Sequence, residues 1–348
     1  MRKISFFIGS MGKGGAERVI SILANYYVTH GYEVDIIVLL ANKVEYKLNE
    51  KINIVDFSSN QSRMLSTLSW LSKIRTYVKK EKPYKIISFV GRINLLVLCA
   101  CLGLKIDIYC SERNDPLHDG RNKLLVKLIE LFYLTKNCKK IIFQTRYIQN
   151  CFSKDVKDKS IIIYNPIEVT VKRKLPVKKI VTAGRLVEQK NQMLLIEAFG
   201  DVAKKYPDYK LYIYGEGPLR EDLSKKIREE HLEDKVFLPG NVDNIHEIIS
   251  DAKMFVLSSK FEGLSNALLE AMLLGIPCIS TRVSGIEEII IDGETGLLVK
   301  DKEQLINAIK SLIKDQEKYN YIVCNSELLK DKFSLNTIIK QWNLCMDL

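Results

Sequence analysis

Two glutamates, Glu262 and Glu270, bracket a short stretch of backbone in Phe261-Glu262-Gly263-Leu264-Ser265-Asn266-Ala267-Leu268-Leu269-Glu270-Ala271-Met272. Ser265 suits a helix N-cap, which puts Glu262 in the loop before the helix and Glu270 about a turn and a half inside it. The backbone of Gly263, Leu264, Ser265 and Asn266 can then offer N–H groups to a phosphate, while the two carboxylates accept from hydroxyls on either side. A nucleotide-sugar has that layout, with ribose and hexose hydroxyls flanking a diphosphate. A helical glutamate ordinarily faces water. Glu270, however, has the apolar neighbours Ala267, Leu268, Ala271 and Met272, where an unpaired carboxylate would be costly.

Cations for such a diphosphate stand earlier in the chain. Gly184-Arg185-Leu186 follows an apolar run, and Lys190 comes five residues after Arg185. Arginine can make a bidentate contact with a phosphate and lysine supplies a point charge. Glycine-rich stretches that let a backbone approach a ligand occur at Gly215-Glu216-Gly217-Pro218 and, more weakly, at Leu238-Pro239-Gly240-Asn241-Val242. Near the start, Gly9-Ser10-Met11-Gly12-Lys13-Gly14-Gly15-Ala16-Glu17-Arg18 opens a helical pattern, so Gly14 and Gly15 could present amides to an anion. It is no dinucleotide fingerprint, since Glu17 occupies the third glycine position. It is no P-loop either, since Gly15-Ala16 stand where Lys-Ser or Lys-Thr is needed. Taken alone, each of these features also fits a tight turn or a solvated surface charge.

These residues need strand ends to hold them. Strand-like runs alternate with helix-period runs throughout, the pattern of an α/β protein with parallel sheets. Strands are expected at 3–8, 34–40, 52–56, 85–90, 106–110, 140–144 and 161–164, with helices at 16–29, 64–80, 93–102 and 121–135. After Asn165-Pro166 the pattern breaks in a charged, aperiodic stretch. A second series follows, with strands at 179–183, 210–214, 235–238, 254–257, 277–280 and 296–299. Its helices fall at 191–205, 219–230, 245–250, 266–274, 286–290 and 303–314. The expected domains are 1–165, binding an acceptor, and 166–330, binding a nucleotide-sugar. A last helix over 331–348 is expected to pack back on the first domain. Two doubly wound domains would face each other across a cleft, and open α/β sheets bind ligands at the C-terminal ends of their strands.

Composition bounds the rest. At roughly 150 residues per domain, 348 residues make two full cores, and 18 Gly with 8 Pro leave no room for long linkers. The longest charge-free apolar stretch, 93–104, is too short to span a membrane. The apolar run at 4–8 leads into the glycine loop and reads as a strand, not a signal peptide. Eight cysteines without a C-x-x-C pair or a nearby histidine read as buried thiols in a reducing cytosol. Lys plus Arg exceed Asp plus Glu by 53 to 42, a formal +11, which points to an anionic partner. Nucleic acid is the weakest such partner, because no helix-turn-helix, zinc or RNP-type signature accompanies the charge. The segments 63–82 and 121–140 mix apolar and basic residues in a way that suits docking on an anionic membrane as well as packing on a sheet.

With these motifs in order, the chain resembles a GT-B glycosyltransferase of the retaining family 4 (group 1) type, which includes enzymes extending polyprenyl-diphosphate-linked oligosaccharides. Gly14-Gly15-Ala16-Glu17-Arg18-Val19, Gly184-Arg185-Leu186 with Lys190-Asn191, Gly215-Glu216-Gly217-Pro218 and the spaced pair Glu262 and Glu270 carry the resemblance. It implies that Gly14, Gly15, Arg185 and Lys190 contact the donor diphosphate, Glu262 the donor sugar and Glu270 the ribose. Many members place a histidine where this chain reads Ser111-Glu112-Arg113-Asn114-Asp115-Pro116, so Arg113 or the nearby His118 is the candidate there. No Asp-x-Asp triplet occurs, in keeping with a diphosphate neutralised by Arg185 and Lys190. No metal and no cofactor beyond the nucleotide-sugar substrate are expected. The implied activity is retaining transfer from a UDP-hexose or UDP-N-acetylhexosamine to a lipid-linked saccharide in bacterial surface glycan synthesis (O-antigen or capsule). Its place would be the cytoplasmic face of the inner membrane, with the enzyme held peripherally. A UDP-sugar epimerase on the same fold is the alternative.

Overall fold

The structure, a computed structural model, describes residues 2–12, 14–41, 43–58 and 63–348, with side chains from 66 onward in the last stretch. It divides into two compact units, one running to Pro166 and including Ile338–Leu348, the other Ile167–Thr337. In chain order, unit 1 holds β1 (Lys3–Ile8), α1 (Gly15–Thr29), β2 (Glu33–Val38), β3 (Asn53–Asp56), α2 (Arg63–Glu81), β4 (Lys85–Phe89), α3 (Gly91–Ala100), β5 (Ile108–Glu112), α4 (Lys123–Tyr133), β6 (Cys138–Phe143), α5 (Arg146–Asn150), α6 (Lys154–Asp158) and β7 (Ser160–Ile162). Its seven strands form one parallel sheet in the order β3-β2-β1-β4-β5-β6-β7. Unit 2 holds β8 (Val177–Ala183), α7 (Gln192–Ala203), β9 (Lys210–Tyr214), α8 (Arg220–Glu229), β10 (Val236–Gly240), α9 (Ile245–Ile249), β11 (Ala252–Leu257), α10 (Asn266–Leu273), β12 (Cys278–Thr281), β13 (Leu297–Val299), α11 (Lys302–Lys314), α12 (Gln316–Glu327) and α13 (Lys330–Phe333). Its parallel order is β10-β9-β8-β11-β12-β13. The last helix, α14 (Leu335–Met346), belongs to unit 1 from Ile338 on.

Strands covered by helices on both faces read as unbroken apolar runs. That is why β1, with Phe6, Phe7 and Ile8 all buried, was plain in the sequence. Both sheets have the doubly wound order 3-2-1-4-5-6, extended by a seventh strand in unit 1, and the winding reverses between the first and fourth strands. In unit 1 that reversal lies between β1 and β4, and in unit 2 between β8 and β11.

Several boundaries differ from expectation. Strand β5 was expected to end at Cys110 but runs on to Glu112, which is fully buried. A charged residue can complete an inner strand here because its carboxylate is taken up. Arg121 Nη1 lies 2.9 Å from Oε2, the Tyr133 hydroxyl donates over 3.1 Å, and the Gly91 amide donates over 3.3 Å. The final helix, expected as one piece over 331–348, is two, separated by the extended Ser334, whose hydroxyl takes the Thr337 amide over 3.2 Å. The cysteines are not uniformly buried: Cys101, Cys110, Cys138 and Cys278 are, but Cys324 is exposed. Burial pushes the Cys101 thiol up to about 12. Among the described residues no helix is long and apolar enough to cross a membrane.

Candidate active site

In unit 2 the sequence candidates gather where the winding reverses. The loop after β8 carries Arg185, which is exposed, and then a single 3-10 turn, Glu188–Lys190. Asn191 leaves that turn in the left-handed conformation at φ 49°, one that asparagine tolerates, and α7 starts at the next residue. The loop after β11 is tied to this turn at three points. The Lys260 amide donates to Gln189 O over 2.8 Å, Gln189 Nε2 to Phe261 O over 3.0 Å, and Ser258 Oγ to Lys190 O over 3.0 Å.

That lacing brings Lys190 Nζ to 2.6 Å from Glu262 Oε1. The same oxygen accepts from Ser259 Oγ at 2.6 Å. Among the described residues Glu262 Oε2 takes no hydrogen bond, so one oxygen of a buried carboxylate is anchored and the other is not. Additional hydrogen bonds help a buried ion pair offset its desolvation. Ser259 supplies one, and its own carbonyl is held by Thr281 Oγ1 over 2.6 Å.

Next along the chain, Ser265 caps α10, its hydroxyl accepting from the Leu268 amide at 3.4 Å. The amides of Gly263, Leu264 and Ser265 meet no protein acceptor among the described residues, and Asn266 opens the helix. Free amides at the positive end of a helix suit an anion. Glu270 is buried on α10, and His246 Nε2 of α9 lies 3.1 Å from its Oε2, without the alignment of a hydrogen bond.

Gly215 and Gly217 have a structural reason of their own. A Cβ on Gly215 would overlap Gly184 O, and one on Gly217 would overlap Leu186 O. The loops after β8 and β9 lie back to back, joined by Gly184 N to Tyr214 O at 2.9 Å and Leu186 N to Glu216 O at 3.0 Å. Asn241, just past β10, is exposed.

Gly14 and Gly15 belong to unit 1. Gly14 is the extended N-cap of α1, Gly15 begins the helix, and Gly14 O accepts from the Tyr46 hydroxyl over 3.0 Å. Lys13 of that loop lies outside the described residues. Arg113, directly after β5, is buried. Its Nε donates to Ser111 Oγ over 2.7 Å and its Nη1 to Asn165 Oδ1 over 2.6 Å. Its guanidinium carbon stands 5.4 Å from the Phe89 ring centroid and 5.8 Å from that of Trp342. Burial draws its pKa down to about 9, with the Glu112 charge opposing. His118 is exposed on one side and paired through Nδ1 with Asp115 Oδ2 at 2.8 Å.

Ser259, Gln189 and His246 were not singled out in the sequence. Ser259 has a signal, being one of two serines directly past a strand that precedes the glutamate loop. His246 has none, because its approach to Glu270 depends on how α9 lies beside α10.

Among the described residues the arrangement is a helix terminus with unpaired amides, a lysine–carboxylate pair and a further arginine at the winding reversal of a Rossmann-type sheet. Comparison with known proteins shows the family of the chain. Residues 168–328 match the family model for glycosyl transferases group 1. A Campylobacter jejuni relative, N-acetylgalactosamine-N,N'-diacetylbacillosaminyl-diphospho-undecaprenol 4-alpha-N-acetylgalactosaminyltransferase, is 32% identical over 91% of this chain and 92% of its own. An uncharacterized glycosyltransferase of Haemophilus influenzae is 29% identical over 98% and 99%. Among solved structures, Anabaena Alr3699/HepE in complex with UDP and glucose superposes with a TM-score of 0.83 over 100% of both chains at 17% identity. The lipopolysaccharide outer core galactosyltransferase WaaB superposes at 0.77 over 99% of both chains, at 20% identity. The chain belongs to the group 1 glycosyltransferases and has their GT-B fold. It is a glycosyltransferase.

Proposed function

We propose that the chain moves a hexose or N-acetylhexosamine from UDP to a saccharide carried on a polyprenyl diphosphate, with retention of anomeric configuration and without a metal. The Lys190–Glu262 pair at the winding reversal carries this reading. Arg185, Lys190 and the amides of Gly263, Leu264 and Ser265 stabilise the departing diphosphate, preorganised charge being a principal source of rate in such a step. Gly14 and Gly15, where α1 begins in unit 1, are further backbone positions that suit an anion. Gly215, Gly217 and Asn241 shape the nucleotide side, and Glu270 accepts from the ribose. Glu262 Oε2 accepts from a donor-sugar hydroxyl.

No protein nucleophile is assigned. The acceptor oxygen bonds to the anomeric carbon on the face that the diphosphate leaves, and its proton passes to the departing diphosphate oxygen. Arg113 is a positioning residue that steadies Asn165 and Trp342, and His118, held by Asp115, faces the acceptor. The name of the Campylobacter relative, which opens with a saccharide on diphospho-undecaprenol, supports a lipid-linked acceptor here. With that acceptor, the enzyme works peripherally at the cytoplasmic face of an anionic inner membrane, in surface glycan assembly.

The test is UDP release from a panel of UDP-sugars with and without undecaprenyl-diphosphate saccharide, in EDTA. Release should require the acceptor and be indifferent to chelation. Donor epimerised without acceptor, or activity abolished by EDTA and restored by Mg²⁺ or Mn²⁺, would overturn the reading.

A further inference from the structure

The structure separates the two segments that mix apolar and basic residues. In α2, Trp70, Ile74, Tyr77 and Val78 are buried against the sheet, and Arg75 donates to Ala100 O and Leu102 O over 2.8 and 2.9 Å. The side chains of Met64 and Leu65 lie outside the described residues. Helix α2 is therefore a packing element whose main apolar face is occupied, with Leu68 exposed on the opposite side as a single residue.

Helix α4 is different. Only Ile129 and Tyr133 of it are buried. Leu124, Leu128 and Leu131, spaced i, i+4 and i+7, are 77%, 42% and 64% exposed. At about 100° per residue these three share one face, and Tyr133 lies opposite Leu124. Lys123 and Lys127 are exposed at the margin of the leucine face, and neither has an acidic partner among the described residues. The one acid of the helix, Glu130, accepts from the Ser153 amide over 2.6 Å. Leu117, in the loop leading into α4, is exposed as well.

We propose that the Leu124–Leu128–Leu131 face of α4 docks on an anionic lipid bilayer, with Lys123 and Lys127 against the headgroups. Water is a poor solvent for three leucines in a row, whereas the interface of a bilayer takes up an apolar stripe and an unneutralised cationic margin together. The helix starts from the loop after β5, at the C-terminal edge of the unit 1 sheet, the edge at which such sheets take their ligands. Docking there would hold that edge near the bilayer in which a lipid-linked acceptor is anchored. The inference rests on the membrane-face reading given above and assigns the surface that serves it.

The experiment is sedimentation of the full chain with phosphatidylcholine vesicles, with and without phosphatidylglycerol, at low and high salt. Wild type should pellet with the anionic vesicles at low salt and come off at high salt. Leu124→Ser/Leu128→Ser/Leu131→Ser should bind at least about tenfold more weakly. Lys123→Gln/Lys127→Gln should bind about twenty-five-fold more weakly, at about fivefold per lysine. Both variants should keep the wild-type melting temperature and the wild-type rate on a water-soluble acceptor saccharide. Variants that bind as tightly as wild type would overturn the role of α4 while leaving the peripheral location intact. A wild type that binds no vesicle would overturn both, and lipid-linked transfer in detergent would still be measured separately. A wild-type dimer that the leucine variant dissociates, without vesicle binding, would make this face a self-association surface and overturn the proposal.

Discussion

Lys190 and Glu262 are 72 residues apart in the chain and 2.6 Å apart in space. Each stood out by type and local setting, the lysine as a candidate cation for phosphate and the glutamate as a candidate hydroxyl acceptor. Their pairing was not, because it depends on which strands adjoin. Only the placement of β8 beside β11 sets the two loops together. The pair makes the two side chains interdependent, so their substitutions should not combine as independent effects. Lys190→Ala removes a charge-assisted contact and should lower kcat/KM by roughly ten to a hundredfold. Glu262→Gln should impair transfer with little change in fold, and the double variant should lose less than the product of the two. Steady-state UDP release on all three variants measures the coupling, and strictly multiplicative losses would show that the pair does not act as a unit. Glu270→Gln should mainly raise the donor KM, and an unchanged KM would remove its ribose role.

At the scale of elements, parallel strands read well because burial on both faces leaves long apolar runs. The sequence failed where one residue escapes that rule. Glu112 looks like a surface residue until the Gly91 amide of α3, Tyr133 of α4 and Arg121 of the loop before α4 are brought to it. Likewise α2 and α4 could not be told apart by pattern, since only tertiary packing decides which apolar face is covered. Gly215 and Gly217 were read as places where a backbone approaches a ligand, yet they also sit where two loops approach each other. Gly217→Ala would drive a Cβ into Leu186 O, a backbone atom that cannot swing aside. It should destabilise unit 2 by about 1–3 kcal/mol, as overpacking generally does. Gly103→Ala, at φ 75° with nothing within 4 Å of the added carbon, makes the comparison. It should cost only the left-handed backbone term of roughly 1–2 kcal/mol. Urea melts of the two variants test this, and donor affinity should fall for Gly217→Ala alone. A Gly217→Ala protein as stable as wild type would mean that the loops can part freely.

Taken whole, the molecule is two doubly wound units whose apolar cores share no residue. The chain passes from unit 1 to unit 2 after Pro166 and returns at Ile338, so the last helix completes the first unit. Its anchor is Trp342, which is fully buried, stacks on Phe89 with centroids 6.1 Å apart and lies against the Arg113 guanidinium. Tyr27 adds a hydrogen bond of 3.0 Å to Asn343. Separate cores predict separate unfolding, so calorimetry should resolve two transitions. Trp342→Ala removes a large buried ring and should cost about 3–5 kcal/mol. In a unit of this size that lowers the midpoint by roughly 6 to 20 °C. The loss should fall on one transition only, leaving the other at its wild-type temperature, because no atom of Trp342 contributes to the unit 2 core. A variant whose transitions shift together would show that the units unfold as one, and a variant with the wild-type profile would show that the return of the chain to unit 1 contributes nothing to its stability.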